Sequence, residues 1–167
     1  MSSFSPPYLP ANILTAAPHD PTSRWSTASG HHEYITLKLA RPAILDSISF
    51  GKLDRVHPCN LSHFVVFVGM RPEKVFMKEV LRNRLQNDTT TERFELDCRV
   101  DLNHASRAAS ALPSQYVRIE VLDAQSPNFN ISLWSVAASF VLPSVAHDFV
   151  GTSRSKVRRR RKHRIHS

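Results

Sequence analysis

Alternating and continuous apolar segments, separated by Pro- and Asn-containing turns, dominate the pattern of this chain. Tyr116 to Leu122 alternates cleanly, and Phe64 to Val68 is a continuous run of aromatic and β-branched residues ended by Gly69. Such runs predict a half-buried and a fully buried strand, respectively. The chain as a whole predicts strands at residues 34–39, 43–50, 64–68, 90–96, 116–122 and 129–140. Six short strands with little convincing helix indicate an all-β sandwich.

Two local features of this pattern are a proline between two predicted strands and a segment of ambiguous periodicity. Arg41–Pro42 lies between the first two predicted strands, and a short Pro-containing turn between alternating segments predicts a β-hairpin. Residues 73–86 fit helical spacing, but the sandwich context favours a strand there. Both interpretations of residues 73–86 remain open from the sequence alone.

The net charge of +8 comes from one end of the chain. Eight of the 22 basic residues and none of the acidic ones lie between Gly151 and Ser167, so the rest of the chain is electrically neutral. The densest part of this segment is Arg158, Arg159, Arg160, Arg161 and Lys162. Such a run is typical of a nuclear-import or polyanion-binding tail, and equally of an inert disordered tail.

Length and composition indicate the domain organisation of the chain and the cellular compartment in which it occurs. A chain of 167 residues suggests one domain plus tails. We predict an extended lead-in packed on the domain at residues 1–22, a domain at 23–142 and a disordered basic tail at 143–167. Two cysteines, no apolar run of about 18 residues and no signal-like N-terminus predict a cytoplasmic or nuclear protein without a membrane span.

No familiar catalytic or cofactor motif occurs in the sequence. A GxSxG elbow, an HExxH helix and a Gly-rich phosphate loop are all absent, so we expect no enzymatic activity and no cofactor. His57, Cys59 and His63, with His31 and His32, lack the two close ligand pairs that structural zinc sites use. We therefore expect no metal site.

Several segments together resemble the N-terminal discoidin-like domain of the muskelin family. The segments that carry the resemblance are SSFSPPYLPANIL (2–14), HDPTSRWSTAS (19–29), YITLKLARPAILDSISFGK (34–52), HPCNLSHFVVFVGM (57–70), LRNRLQND (81–88), ERFEL (92–96), YVRIEVL (116–122) and PNFNISLW (127–134). They occur in family order over residues 2–138, and we expect the family pattern to stop after Ala138. The resemblance implies a discoidin-like, galactose-binding-domain-like jelly-roll β-sandwich.

The resemblance also implies a function. Muskelins carry a LisH–CTLH helical module and kelch repeats and act in CTLH-type E3 ubiquitin ligase complexes. Neither region occurs in these residues, so we expect a truncated form. The resemblance implies a non-catalytic protein–protein interaction module, with CTLH-type ligase subunits or a full-length muskelin as partners. The alternatives are a carbohydrate- or lipid-headgroup-binding sandwich, and a nuclear or polyanion-binding protein acting through its basic tail.

Binding in such a sandwich is expected in loops at one end, because loops on a rigid scaffold usually carry binding residues. The candidate loops are residues 24–32, 52–57 and 126–130. The predicted contact residues are Trp25, Lys52, Arg55 and His57. Packing in the core is the alternative for Trp25, since aromatic side chains dominate cores.

Overall fold

The computed structural model describes residues 3–28, 32–100, 110–127 and 129–141. The strands of this part are β1 (Trp25–Ser26), β2 (Glu33–Gly51), β3 (Leu61–Gly69), β4 (Lys78–Arg84), β5 (Glu92–Glu95), β6 (Arg99–Val100), β7 (Ser110–Ala111), β8 (Ser114–Ala124), β9 (Ser132–Leu133) and β10 (Ser135–Val141). Two 3₁₀ turns, Pro10–Leu14 and Lys74–Phe76, are the helical segments of these ranges. The all-β prediction is confirmed.

Strand β2 is shared by the two layers of the sandwich. The main strand order is β10-β2-β8-β3-β4, with β5 also paired to β2, and every pairing among these strands is antiparallel. The first half of β2 pairs with β8, from Glu33 opposite Val121 to Lys38 opposite Tyr116. Its second half pairs with β10 on one side and with β5 on the other. One strand therefore fixes the position of both layers.

The predicted hairpin at Arg41–Pro42 is wrong. Strand β2 runs through both residues without a turn, and its halves pair with different strands. The register with β8 shifts between Lys38 and Ala43, so Pro42 lies where this ladder is interrupted. A proline has no N–H to donate, and an interrupted ladder is one of the few strand positions that tolerate it.

The ambiguous segment at residues 73–86 forms a 3₁₀ turn followed by β4, so the helical interpretation is wrong. Strand β4 pairs with β3 along the edge of the sheet. A Cβ added to Gly69 would lie 2.8 Å from the carbonyl oxygen of Phe76, so the turn back towards β3 needs glycine there. Exposed charges on β4, including Glu79, Arg82 and Arg84, discourage a further strand from pairing with this edge.

The remaining strand predictions hold with shifted ends. The run at 64–68 lies inside β3, and the alternation at 116–122 lies inside β8. The predicted strand at 90–96 is observed as the shorter β5, and the one at 129–140 divides into β9 and β10.

Aromatic side chains from three strands meet in the core. The ring centroids of Phe50 and Phe64 are 4.5 Å apart, and those of Phe64 and Phe94 are 5.4 Å apart. Phe50 and Phe64 are fully buried. Since Phe50 and Phe94 come from the paired strands β2 and β5, and Phe64 from β3 of the other layer, this cluster joins the two layers.

The N-terminal segment takes part in the same packing. Ile13, in the first 3₁₀ turn, is fully buried in the core. The indole Nε1 of Trp25 donates a hydrogen bond of 3.0 Å to the carbonyl oxygen of Ser3, and the backbone N–H of Ser5 donates to Ser26 at 2.9 Å. Residues 3–14 are thus bonded to β1 and contribute a side chain to the core.

Replacing Phe64 by Ala tests the aromatic cluster. We expect the free energy of unfolding to fall by about 3 to 5 kcal/mol, because the substitution removes buried surface and leaves a cavity. Urea denaturation followed by fluorescence measures the change. Phe140→Ala is the matched control, since Phe140 is 51% exposed and should cost about 0.5 kcal/mol or less. Equal losses in the two variants would contradict the assignment of Phe64 to the core.

Candidate functional site

Four chain segments meet at one end of the sandwich, which we call the loop end: residues 5–24, 52–60, 85–91 and 125–131, the last without residue 128. The backbone N–H of Asp54 donates to Pro18 at 3.0 Å, which joins the first two segments. The side-chain Nε2 of Gln125 donates to Leu61 at 3.0 Å and to Leu85 at 2.9 Å. These bonds hold the loops in fixed relative positions.

Trp134 organises the middle of the loop end. Its indole Nε1 donates a 2.7 Å hydrogen bond to Oδ1 of Asn60, and both residues are buried. The ring of His57 meets the indole edge-on with centroids 6.4 Å apart. The backbone N–H of Cys59 donates to Nδ1 of His57 at 3.1 Å, which places the proton of the neutral imidazole on Nε2.

Charge and burial set the protonation of this cluster. Burial, and secondarily the positive charges of Arg24 and Arg55, lower the pKa of His57. Burial raises the pKa of the Cys59 thiol, with Arg24 opposing. The imidazole is therefore neutral at pH 7 and the thiol is protonated, so neither adds charge to the site. A protonated thiol is also a poor nucleophile.

Arg24 is the cation at the centre of the loop end. Its guanidinium carbon lies 3.8 Å from the ring centroid of Tyr8 and 5.0 Å from that of Trp134. One terminal nitrogen, Nη1, donates to the carbonyl oxygen of Pro21. The side chain is half-buried, yet no described carboxylate pairs with it, and its buried Nε has no hydrogen-bond partner among the described residues.

The structure places two of the predicted contact residues in the interior, which corrects that prediction. Trp25 is fully buried and pairs with Leu133 of β9, as the core-packing alternative expects. Lys52 is only 6% exposed, and its Nζ donates to the carbonyl oxygen of Gln86 at 2.9 Å. Two carboxylates, Asp88 and Glu92, complete the environment of this ammonium group.

Arg55 and His57 remain accessible at the loop end, exposed and half-buried respectively, and their role in binding stays a prediction. The basic residues 158–162 lie outside the described residues. Sequence reasoning missed the contact between Arg24 and Tyr8. The adjacency of Arg24 and Trp25 in a predicted loop was the available signal, whereas nothing in the Pro-rich lead-in pointed to Tyr8.

Large apolar side chains are exposed around the same end. They are Leu9, Leu14, Val56 and Phe129, each between 44% and 68% exposed. All four belong to the segments that form the loop end. A gathering of exposed apolar residues at one end of a domain is typical of an interaction surface.

The described residues contain no group of three or more His, Cys, Asp or Glu that could hold a metal ion. Within the described ranges, no helix has the length and apolar character needed to cross a membrane. A cavity of about 690 Å³ beside β2, β5 and β10 shares no lining residue with the loop end.

Comparison with solved structures defines the class of this fold. The chain is similar to the CBM32 domain of AlyQ in complex with 4,5-unsaturated mannuronic acid, with a TM-score of 0.60, 20% identity, and coverage of 83% of this chain and 90% of that one. It is also similar to the family 32 CBM of Clostridium perfringens NanJ in complex with galactose, with a TM-score of 0.61, 8% identity, and coverage of 81% and 88%. The fold is thus a discoidin-like, galactose-binding-domain-like β-sandwich.

The family model described as Muskelin N-terminus matches residues 1–165, and the chain belongs to this family. The match extends past Ala138, so the expectation that the family pattern stops there is wrong. Over 143 residues, the chain is 35% identical to Mei4-dependent protein 6 of Schizosaccharomyces pombe (strain 972 / ATCC 24843), which covers 81% of this chain. The chain spans about a fifth (20%) of the length of that relative.

Replacing Lys52 by Met tests the buried ammonium group. The hydrogen bond from Lys52, and next the backbone bond from Thr90, lower the pKa of Asp88 below its ordinary value of 3.8. A lowered carboxyl pKa stabilises the fold above the ordinary value, and this stabilisation is lost as the pH falls through the lowered value. Lys52→Met should therefore lower the melting temperature at pH 7 by about 5 °C and make its acid dependence shallower.

Melting temperatures between pH 2 and pH 7 measure both effects of the Lys52 substitution. Arg84→Met is the control, because Arg84 is an exposed cation at the end of β4. An acid dependence that is identical in wild type and Lys52→Met would show that the ammonium does not lower the pKa of Asp88.

Proposed function

We propose that this domain is a non-catalytic protein-binding module whose loop end docks onto a partner protein. The single observation that carries the proposal is the set of exposed apolar side chains at the loop end, where rigidly held loops surround a stacked arginine. Membership of the muskelin family and the discoidin-like fold support a binding role. We further propose a subunit of a CTLH-type ubiquitin ligase, or a full-length muskelin, as the partner.

The chemistry of the loop end supports binding rather than catalysis. The His57 imidazole is neutral, the Cys59 thiol is protonated, and the guanidinium of Arg24 lies against the rings of Tyr8 and Trp134. A nucleophile with an adjacent base and an orienting group, which covalent catalysis requires, does not occur at this end in the described residues. Such a surface acts by complementarity of shape and charge.

Binding of the purified chain to purified CTLH-type subunits and to full-length muskelin tests the proposal. We expect binding to at least one of them, measured by isothermal titration calorimetry. The double variant Val56→Asp, Phe129→Asp should weaken this binding at least tenfold, because charged groups replace apolar contacts at the interface.

Val75→Asp with Phe76→Asp is the matched control, since these residues are 82% and 55% exposed but lie in the second 3₁₀ turn, outside the loop end. Failure of every candidate partner to bind would refute the proposed partners. Equal weakening by both double variants would refute the loop end as the binding surface. A strong response on a glycan array, without protein binding, would instead favour carbohydrate binding.

The location of the protein is a separate proposal. We propose that it is cytoplasmic or nuclear and that residues 158–162 promote nuclear import or polyanion binding, because five consecutive cations attract nuclear import receptors and nucleic acids. Deleting residues 151–167 from a fluorescently tagged chain should lower the ratio of nuclear to cytoplasmic fluorescence. An unchanged ratio would mean that the segment is not an import signal.

A further inference from the structure

Among the described residues, no carboxylate pairs with the charge of Arg24, unlike that of a comparable arginine in the same domain. Arg118 also stacks on an aromatic ring, with its guanidinium carbon 3.5 Å from the centroid of Tyr34, and it pairs with Glu120 at 2.9 Å. Arg24 has the stacking, at 3.8 Å from Tyr8, but no carboxylate among the described residues. Charges removed from water are normally paired, so the half-buried Arg24, with no counter-ion in the described part of the chain, is suited to receive one from a ligand.

The surroundings of Arg24 fix its orientation. The guanidinium lies against the rings of Tyr8 and Trp134, and its Nη1 donates a hydrogen bond to the carbonyl oxygen of Pro21. The other terminal nitrogen, Nη2, has no hydrogen-bond partner in the described part of the chain. A planar guanidinium that is oriented in advance binds a carboxylate with little loss of side-chain freedom.

The charges nearby favour an anion at this position. Arg55 adds a second positive charge, and both arginines contribute to lowering the pKa of His57. The acidic neighbour in the same loop, Asp54, contacts Nδ1 of His19 at 2.9 Å. Asp20, in the segment of Arg24, accepts hydrogen bonds from Thr22, so an incoming carboxylate would meet the positive charges of Arg24 and Arg55.

Resting on the proposed function, we propose that Arg24 receives the carboxylate of an acidic side chain in an apolar segment of the partner protein. The exposed Leu9, Val56 and Phe129 belong to the same end of the sandwich and would contact the apolar neighbours of that carboxylate. A charge-assisted hydrogen bond to the fixed guanidinium would then select an acidic residue over its neutral amide. The loop end thus recognises an Asp or Glu flanked by aliphatic residues.

Two blocked tripeptides that differ only in charge test this assignment: N-acetyl-Leu-Asp-Leu-amide and N-acetyl-Leu-Asn-Leu-amide. The readout is the indole N–H signal of Trp134 in two-dimensional NMR spectra of the full chain. The indole N–H of Trp25 is the internal reference, because it is buried and bonded to Ser3. We expect the Asp peptide to shift the Trp134 signal with at least tenfold higher affinity than the Asn peptide.

Arg24→Gln should remove the difference between the two peptides, and Arg24→Lys should restore part of it because the charge returns without the planar donors. An unchanged Trp25 signal shows that each variant is folded. Arg84→Gln is the matched control, as an exposed arginine on β4, outside the loop end. Equal shifts with both peptides, a charge preference that survives Arg24→Gln, or no shift at about 10 mM Asp peptide would each overturn the proposal.

A third probe separates the two sources of a carboxylate. If sodium glucuronate shifts the Trp134 signal while the Asp peptide does not, the ligand is an acidic sugar and the assignment to a protein partner is overturned. Failure of this proposal is also distinct from failure of the proposed function. Purified partners that bind through Val56 and Phe129 with no charge preference would retain the protein-binding role and remove only the carboxylate.

Discussion

The two layers of this domain depend on one shared strand. Because β2 pairs with β8 in its first half and with β10 and β5 in its second, neither layer can shift without moving the other. The aromatic contact between Phe50 and Phe64 locks this arrangement from inside. The loop end inherits its rigidity from the same strand, since β2 ends at Gly51 and continues directly into the loop that carries Lys52, Arg55 and His57.

Long-range polar bonds extend that rigidity to the loop end. Lys52 holds the segment at Asp88 and Glu92, and Gln125 bonds to the backbone beside two further loops. Buried polar groups of this kind are costly unless satisfied, so they specify one arrangement of the loops. The stacked Arg24 is positioned by this framework. The position of Arg24 therefore depends on residues that do not contact it themselves.

The sequence predicted what short-range pattern controls and failed where distant residues decide. The alternation around Ile119 requires only a sheet with one buried face, and it was confirmed. Pro42 suggested a turn, but it lies in a strand where the hydrogen-bond ladder is interrupted. That interruption is set by pairing with a distant strand, which the local sequence does not show. Lys52 was predicted at the surface because charged side chains are usually exposed, and the carboxylates that allow its burial follow far along the chain. Arg24 and Tyr8 are likewise brought together only by the path of the lead-in.

The pairing of β2 also has a consequence for protein synthesis. Two of its three partners, β8 and β10, are among the last of the described strands, so β2 leaves the ribosome long before most of its pairing can form. Domains whose contacts are mostly distant in sequence fold slowly and expose unpaired edges in the meantime. During that interval, apolar positions of β2 such as Leu45 and Ile48 are without the partners that bury them in the folded domain. The interval between translation of Gly51 and translation of Val141 therefore sets the earliest time at which β2 can be fully paired.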